Sequence, residues 1–325
     1  MPANLLALIS NTFIETLRQP VFAIIIGATV LLLIFAPALS MFTLDNDNLL
    51  LKDICLSNLL VAGLFLAVFA ASSVVTEEIE NKTVLTVVSK TVSRPLFIIG
   101  KFIGVAGAIT LAEYLLCLVV LIVIRHGVMQ SNAETHDTVV ITLTIISAVL
   151  VLLIGLAGNY FYNWRFSSTA VLLASLFTTL MILVLAFIDA KWQYNPAKNN
   201  LDWGLLGHFT LSLLAVLILT AVAIMASTRL NLVATLILCL LAFVIGVMVP
   251  YWLSPIASQG GVMSYIAKAG LAMVPGINLF VATNSIYDNT AIPLSYIGKT
   301  ALYAFFYISA TLVFAIALFR HRELG

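Results

Sequence analysis

From Pro20 to Phe42 the chain carries no charged residue. A helix of about 20 apolar residues is what crosses the roughly 30 Å hydrocarbon core of a bilayer. Seven further runs of similar length follow, at about 55–76, 102–124, 138–161, 168–188, 205–227, 232–253 and 300–319. Charged residues make up 9% of the composition, against roughly 25% in a soluble domain. An open strand cannot satisfy its backbone in lipid, and the polar–apolar alternation of barrel strands is absent. The expected fold is therefore all-α. We read 1–325 as one polytopic helical membrane domain with about eight transmembrane helices.

Residues 4–18 differ from the spans. Leu5, Leu6, Ile9, Phe13 and Leu17 recur at helical spacing, while Asn4, Asn11, Glu15 and Arg18 take the other side. Such a helix is too polar to cross and is expected to lie in the interface. The chain start lacks the basic region and small-residue cleavage site of a signal peptide, so the first span is expected to stay in the mature protein. Lys and Arg set the orientation. With the N-terminus inside, Arg18, Lys82, Lys90, Arg94, Lys101, Arg165, Arg229, Arg320 and Arg322 are inside. Lys52, Arg125, Lys191, Lys198, Lys268 and Lys299 are outside, a split of nine to six although the outer loops are longer. Asp45, Asp47, Asp53, Glu134, Asp137, Asp189, Asp202 and Asp288 also fall outside, and an even span count returns the C-terminus to the cytoplasm. Trp192, Trp203 and Trp252 at outer span ends and Trp164 at an inner one suit an aromatic belt.

Several chemistries are excluded. Gly298–Thr300 reads GKT, but a phosphate-binding loop needs GxxxxGK[ST] after a strand, and Pro293 stands where its first glycine belongs. There is no HExxH and no Cys/His cluster, so no metal or cofactor is expected in this chain. His126, His136, His208 and His321 are expected to be interfacial or solvated. Cys55, Cys117 and Cys239 lie in apolar runs, which argues against a disulfide framework. The net charge of +1 gives no reason to expect a nucleic-acid partner.

Glu113 is the one acidic or basic residue placed at mid-membrane, in AITLAEYLLCL. An ionised carboxylate there costs about 3 kcal/mol on insertion scales. It must be protonated, hydrogen-bonded or facing water. Thr110 and Cys117 share its helical face, and Gly104, Ala108 and Ala112 form a small-residue stripe on another face. Two readings stay open: a neutral Glu bonded to a neighbouring helix, or a group in a transport path or proton coupling.

Two loops carry the remaining signal. Residues 254–299, including SYIAKAGLAMVPGINLFVA, are apolar but broken by Gly270, Pro275 and Gly276. Short helices are expected there, dipping into the outer leaflet or covering the bundle. Residues 77–95 form the longest cytoplasmic connection, a hairpin between the second and third spans. Within and just after it, EIENKT (78–83), SK (89–90), SR (93–94), Phe97 and GK (100–101) resemble the signature of the type-2 permease family of ATP-binding-cassette transporters. Thr91 stands where that family usually has proline. SNTFIETLRQPVF (10–22) resembles the family's interfacial elbow helix, and MASTRLNLVATL (225–236) and LFRHREL (318–324) are also similar to family segments.

The resemblance implies a permease without its own ATPase, in a core that has six spans in many members. Such permeases pair with a second copy or a paralogue. They take energy from a separate cytoplasmic ATPase, which binds the ATP and Mg. A coupling helix in the hairpin docks on that ATPase, with Glu78, Glu80, Lys82, Thr83, Lys90 and Arg94 as the coupling residues. The expectation is a permease subunit, an exporter of unspecified substrate, in the cell (inner or plasma) membrane with both termini cytoplasmic. The alternatives are an ion-gradient-driven carrier using Glu113, and a non-transporting membrane scaffold of an envelope or motility machine.

Overall fold

The computed structural model describes residues 2–40, 46–76, 78, 93–128, 136–259, 261–288 and 290–320. The described residues are all-α. Helix α1 (Pro2–Arg18) is followed by α2 (Pro20–Ser40) and α3 (Asp47–Ala71), which a π-helical turn extends through Thr76. Then come α4 (Arg94–His126), α5 (Thr138–Tyr162), α6 (Phe166–Leu185), α7 (Leu206–Ser227) and α8 (Leu232–Ser258). Two short helices, α9 (Val262–Met273) and α10 (Thr283–Tyr287), precede α11 (Leu294–Arg320). Eight of these helices, α2 to α8 and α11, are long and apolar enough to cross a membrane. The chain is a multi-pass helical membrane protein.

Three helices form the centre. The most apolar windows of α3, α4 and α7 are 61%, 56% and 72% buried, against 17–28% for the other five. Their interiors pack Leu59, Leu64, Leu66, Ile109, Leu116, Leu211, Ile218 and Leu219. The remaining five present apolar side chains outward, as lipid-facing helices must.

Helix α1 lies against α4 rather than standing apart from the bundle. The contact depends on Gly104, where a Cβ would meet Thr12 Cβ at 2.6 Å and the Ile9 carbonyl oxygen at 2.9 Å. Close approach of two backbones through small residues is how helices pack in lipid. The stripe Gly104, Ala108 and Ala112 is buried, as its composition suggests. Phe13 and Leu8 pack against the core. Thr12, Thr16 and Leu17 are buried, whereas Leu6 is 66% exposed. Thr16 Oγ1 donates to the Thr12 carbonyl at 2.9 Å, which satisfies its hydroxyl within the helix.

Helix ends run past the expected borders. Helix α4 begins at Arg94, eight residues before the apolar run, with Pro95 in its first turn where a missing N–H leaves no broken bond. Helix α8 continues through Pro250 and Pro255 to Ser258, and α11 begins at Leu294. The expected loop 254–299 is correspondingly shorter.

Residues 275–287 cover the bundle. Ile277, Phe280 and Ile286 are buried, and Gly246 of α8 accommodates the Pro275 carbonyl, which a Cβ would strike. Two tyrosines of α11 hold this segment and a third holds the end of α9. Tyr296 donates to the Leu279 carbonyl at 2.6 Å and Tyr307 to the Met273 carbonyl at 3.0 Å, while Tyr303 accepts from the Gly276 N–H at 2.8 Å. This cap buries His208 on α7, which shares a 2.8 Å hydrogen bond with Ser285. The expectation of an interfacial or solvated His208 is thereby corrected. His126 stacks on His136 at 5.6 Å, and His321 lies outside the described residues.

Candidate functional site

The expected hairpin, residues 77–95, falls largely outside the described residues, and with it Glu80, Lys82, Thr83 and Lys90. What is described is its base, where Glu78 follows α3 and Arg94 starts α4. The chain on either side of this stretch thus belongs to central helices.

The base is built around Lys101, two turns into α4 just before its apolar run and only 2% exposed. Its Nζ lies 2.7 Å from Glu78 Oε1 and 3.6 Å from Glu15 Oε2 of α1. The ammonium also sits 5.7 Å from the centroid of the Phe97 ring, within range of a cation–π attraction. Phe97 in turn stacks on Phe319 of α11, at 5.6 Å between centroids. One lysine thus ties the α3 leg and α1 to the α4 leg, and its neighbouring ring reaches the last span.

The C-terminal end of α11 is held by two guanidinium groups. Arg94 Nη1 donates to the Arg320 carbonyl at 2.8 Å, and Arg229, in the turn between α7 and α8, donates to the Leu318 carbonyl at 3.1 and 2.7 Å. The last carbonyls of a helix have no partner within it, and cations complement that end of its dipole. Thr76 Oγ1 donates to the Ser227 carbonyl at 3.3 Å, Ser167 Oγ to the Arg18 carbonyl at 3.1 Å, and Gln19 to Ser73. The ends of α1, α3, α4, α7 and α11 are cross-linked in one layer.

Burial pushes the Glu78 carboxyl above the ordinary carboxylate range; Lys101 pulls it back and Glu15 adds to the push. A raised value means that the folded protein holds this proton more tightly than the unfolded chain does. Stability from Glu78 is then fully present below its ordinary range and declines as pH rises through the raised value. The pair with Lys101 sets geometry more than it adds net stability, as expected when desolvation offsets attraction. In thermal unfolding scans, raising pH from the ordinary carboxylate range toward neutrality should lower wild-type stability relative to Glu78→Gln. Parallel pH curves for the two proteins would remove this assignment.

Glu113 sits among the three central helices and is 2% exposed. Neither of its oxygens has a hydrogen-bond partner among the described residues. A Cβ on Gly63 of α3 would lie 2.6 Å from Oε1, and Val216 of α7 packs at the same point. The bond to a neighbouring helix that one sequence reading requires is therefore not formed among the described residues. Thr110 does not share this environment: it is exposed and donates to the Ala106 carbonyl at 2.7 Å.

Sequence reasoning named Glu78, Arg94 and Glu113 as site residues and missed the roles of Glu15, Lys101 and Arg229. Lys101 was legible only as the last residue of a signature, and Glu15 and Arg229 as topology-setting charges. No protein-family model matches the chain, and no curated protein matches it in sequence.

Proposed function

We propose that the chain is the membrane-spanning permease subunit of an ATP-binding-cassette transporter, an exporter in the cell (inner or plasma) membrane. A separate cytoplasmic ATPase docks on residues 77–95 and supplies the ATP hydrolysis. A second permease copy or a paralogue completes the assembly. The observation that carries this reading is the clamp under the hairpin. A loop that only sets topology needs charges in water. Here a lysine is withdrawn from water and held by carboxylates from two other elements. That construction transmits position: a push on 77–95 moves α3 and α4, two of the three central helices, together with α1. The resemblance of 78–101 to the type-2 permease signature supports the same reading, because Lys101 is the lysine that closes it.

The test separates docking from folding. Glu78 belongs to the clamp, so reversing its charge would disturb the base itself. Glu80→Lys combined with Lys82→Glu reverses two hairpin charges and leaves Glu78, Lys101 and Glu15 in place. The pair should release the ATPase from the copurified complex, abolish ATP hydrolysis coupled to transport after reconstitution, and leave membrane insertion unchanged. Truncating a charge that is paired and buried at an interface costs about 2–5 kcal/mol, enough to lose a partner during purification. Unchanged copurification and transport would make the hairpin a solvated, topology-setting loop.

A further inference from the structure

Two buried polar groups that the clamp does not use, Ser212 and Glu113, lie along the seam between α3 and α7. Near the cap, a cavity of about 30 Å³ is lined by Asp53, Ser57 and Leu60 of α3, His208 and Ser212 of α7, and Thr283 of the cap. About 10–15 Å³ suffices for one water, so this cavity is large enough to be hydrated. Ser212 is 3% exposed and its hydroxyl has no partner among the described residues. A buried hydroxyl is a donor and an acceptor at once and is expected to be hydrogen-bonded.

The floor of this cavity lies close to Glu113. On α3, Leu60 lines the cavity and Gly63, one turn on, touches the Glu113 carboxyl. On α7, Ser212 lines the cavity and Val216, one turn on, packs at that same point. Residues three or four apart share a helix face. At 1.5 Å per residue, one turn separates the cavity floor from the level of the carboxyl by roughly 5–6 Å. Two buried polar groups without a partner among the described residues, Ser212 and Glu113, thus lie in line along one seam.

We propose that Glu113 is a proton-binding site of the transmembrane core, loaded from the cap end through the α3–α7 seam with the Asp53–Ser57–Ser212 cavity as its mouth. A proton is the cation this site fits. A metal ion needs several oxygen or nitrogen ligands at about 2.0–2.6 Å, and no group of three His, Cys, Asp or Glu side chains able to hold one occurs among the described residues. The close contact with Gly63 and Val216 leaves the carboxyl packed, and a proton displaces nothing. In the step itself, one O–H bond forms at a Glu113 oxygen as one breaks in a hydronium ion that has moved down the seam past Ser212, leaving neutral water. The proton enters as hydronium from the aqueous phase at the cap.

The groups facing this path are few. Cys117 is the titratable neighbour one turn along α4, and α3 and α7 contribute Gly63 and Val216 at the carboxyl. At the mouth, Asp53 bonds Thr283 and His208 bonds Ser285, and beyond them Lys52 pairs with Asp202 at 2.6 Å. The assignment is independent of any ATPase partner.

Infrared difference spectra of the full-length chain in proteoliposomes, recorded as pH is stepped, test it. They should contain the carbonyl stretch of a protonated carboxyl that disappears in Glu113→Gln. Should that variant fail to fold, Glu113→Asp makes the assignment by shifting the band. On transfer to heavy water, the band shifts as the proton exchanges. Ser57→Leu, at the exposed rim, and Ser212→Val, at the floor, should each slow that shift at least about tenfold, the rate equivalent of losing one hydrogen-bonding step. Slowing in either variant supports the route. Exchange that neither variant changes, or a protein with no Glu113-dependent band at any pH, overturns it.

Discussion

Asp137→Ala should destabilise the protein by about 3–5 kcal/mol, the cost of stranding one member of a buried ion pair. Arg125, at the end of α4, is 6% exposed, and Asp137, just before α5, is 7% exposed. Arg125 Nε donates to Asp137 Oδ2 at 3.2 Å, and its two terminal nitrogens donate to the carbonyls of Leu185 at 2.6 Å and Ile188 at 2.9 Å. Asp137 Oδ1 meanwhile accepts from the N–H groups of Val139 and Val140, capping α5. One pair therefore joins the ends of α4, α5 and α6. Removing the carboxylate deletes the counter-charge and the cap together, and a lost cap alone costs about 1 kcal/mol. Arg125→Met should cost less, because Asp137 keeps both backbone donors. Combining Arg125→Met with Asp137→Ser removes both charges and preserves a capping oxygen. That double variant should recover much of the loss, since uncharged replacements of a buried pair are often neutral. Unfolding midpoints in detergent for the four proteins give the ordering. Equal, small effects for both single variants would mean that the pair is solvated and only marks topology.

The same pair shows where sequence reading stops. An Arg at the end of an apolar run normally sits at the interface, so Arg125 reads as a topology charge. Nothing in a linear pattern tells that the loop after it returns Asp137 to its guanidinium, or that α6 ends with two carbonyls in reach. The spans themselves were legible because lipid leaves backbone no other option than helix at that length. Their ends were not, because α4 and α11 continue as helix beyond the apolar run that defines the crossing. Glu113 was legible as an anomaly from its position alone. The glycine and valine against it come from α3 and α7, and only packing brings Gly63 and Val216 there. His208 shows the reverse error: its place near a span end suggested water, but residues 275–287 fold over it.

Lys101→Glu should be as damaging at the opposite end of the bundle. It would put a third carboxylate between Glu15 and Glu78, in a position that is 2% exposed. The Glu15 side chain is 47% exposed and can turn to water, so its share of the effect is small. Glu78 is 21% exposed and bonds Lys101 at 2.7 Å, so that contact carries most of it. The expected destabilisation is about 3–5 kcal/mol, while packing at Gly104 keeps α1 on α4. Exchanging the two charges, Lys101→Glu with Glu78→Lys, re-forms the pair in reverse. It should restore part of the stability, less than all, because the longer side chain now starts from the other leg. Thermal unfolding reports the stability. The clamp also predicts a functional split that simple destabilisation does not. At a temperature where both proteins are folded, the proposed coupling has the exchanged variant recover ATPase copurification more fully than transport, because docking would need the hairpin while transmission would need the stem in its original geometry. Full stability in Lys101→Glu alone would show that the lysine is free to leave its pocket, and the hairpin would then have no rigid base from which to move α3 and α4.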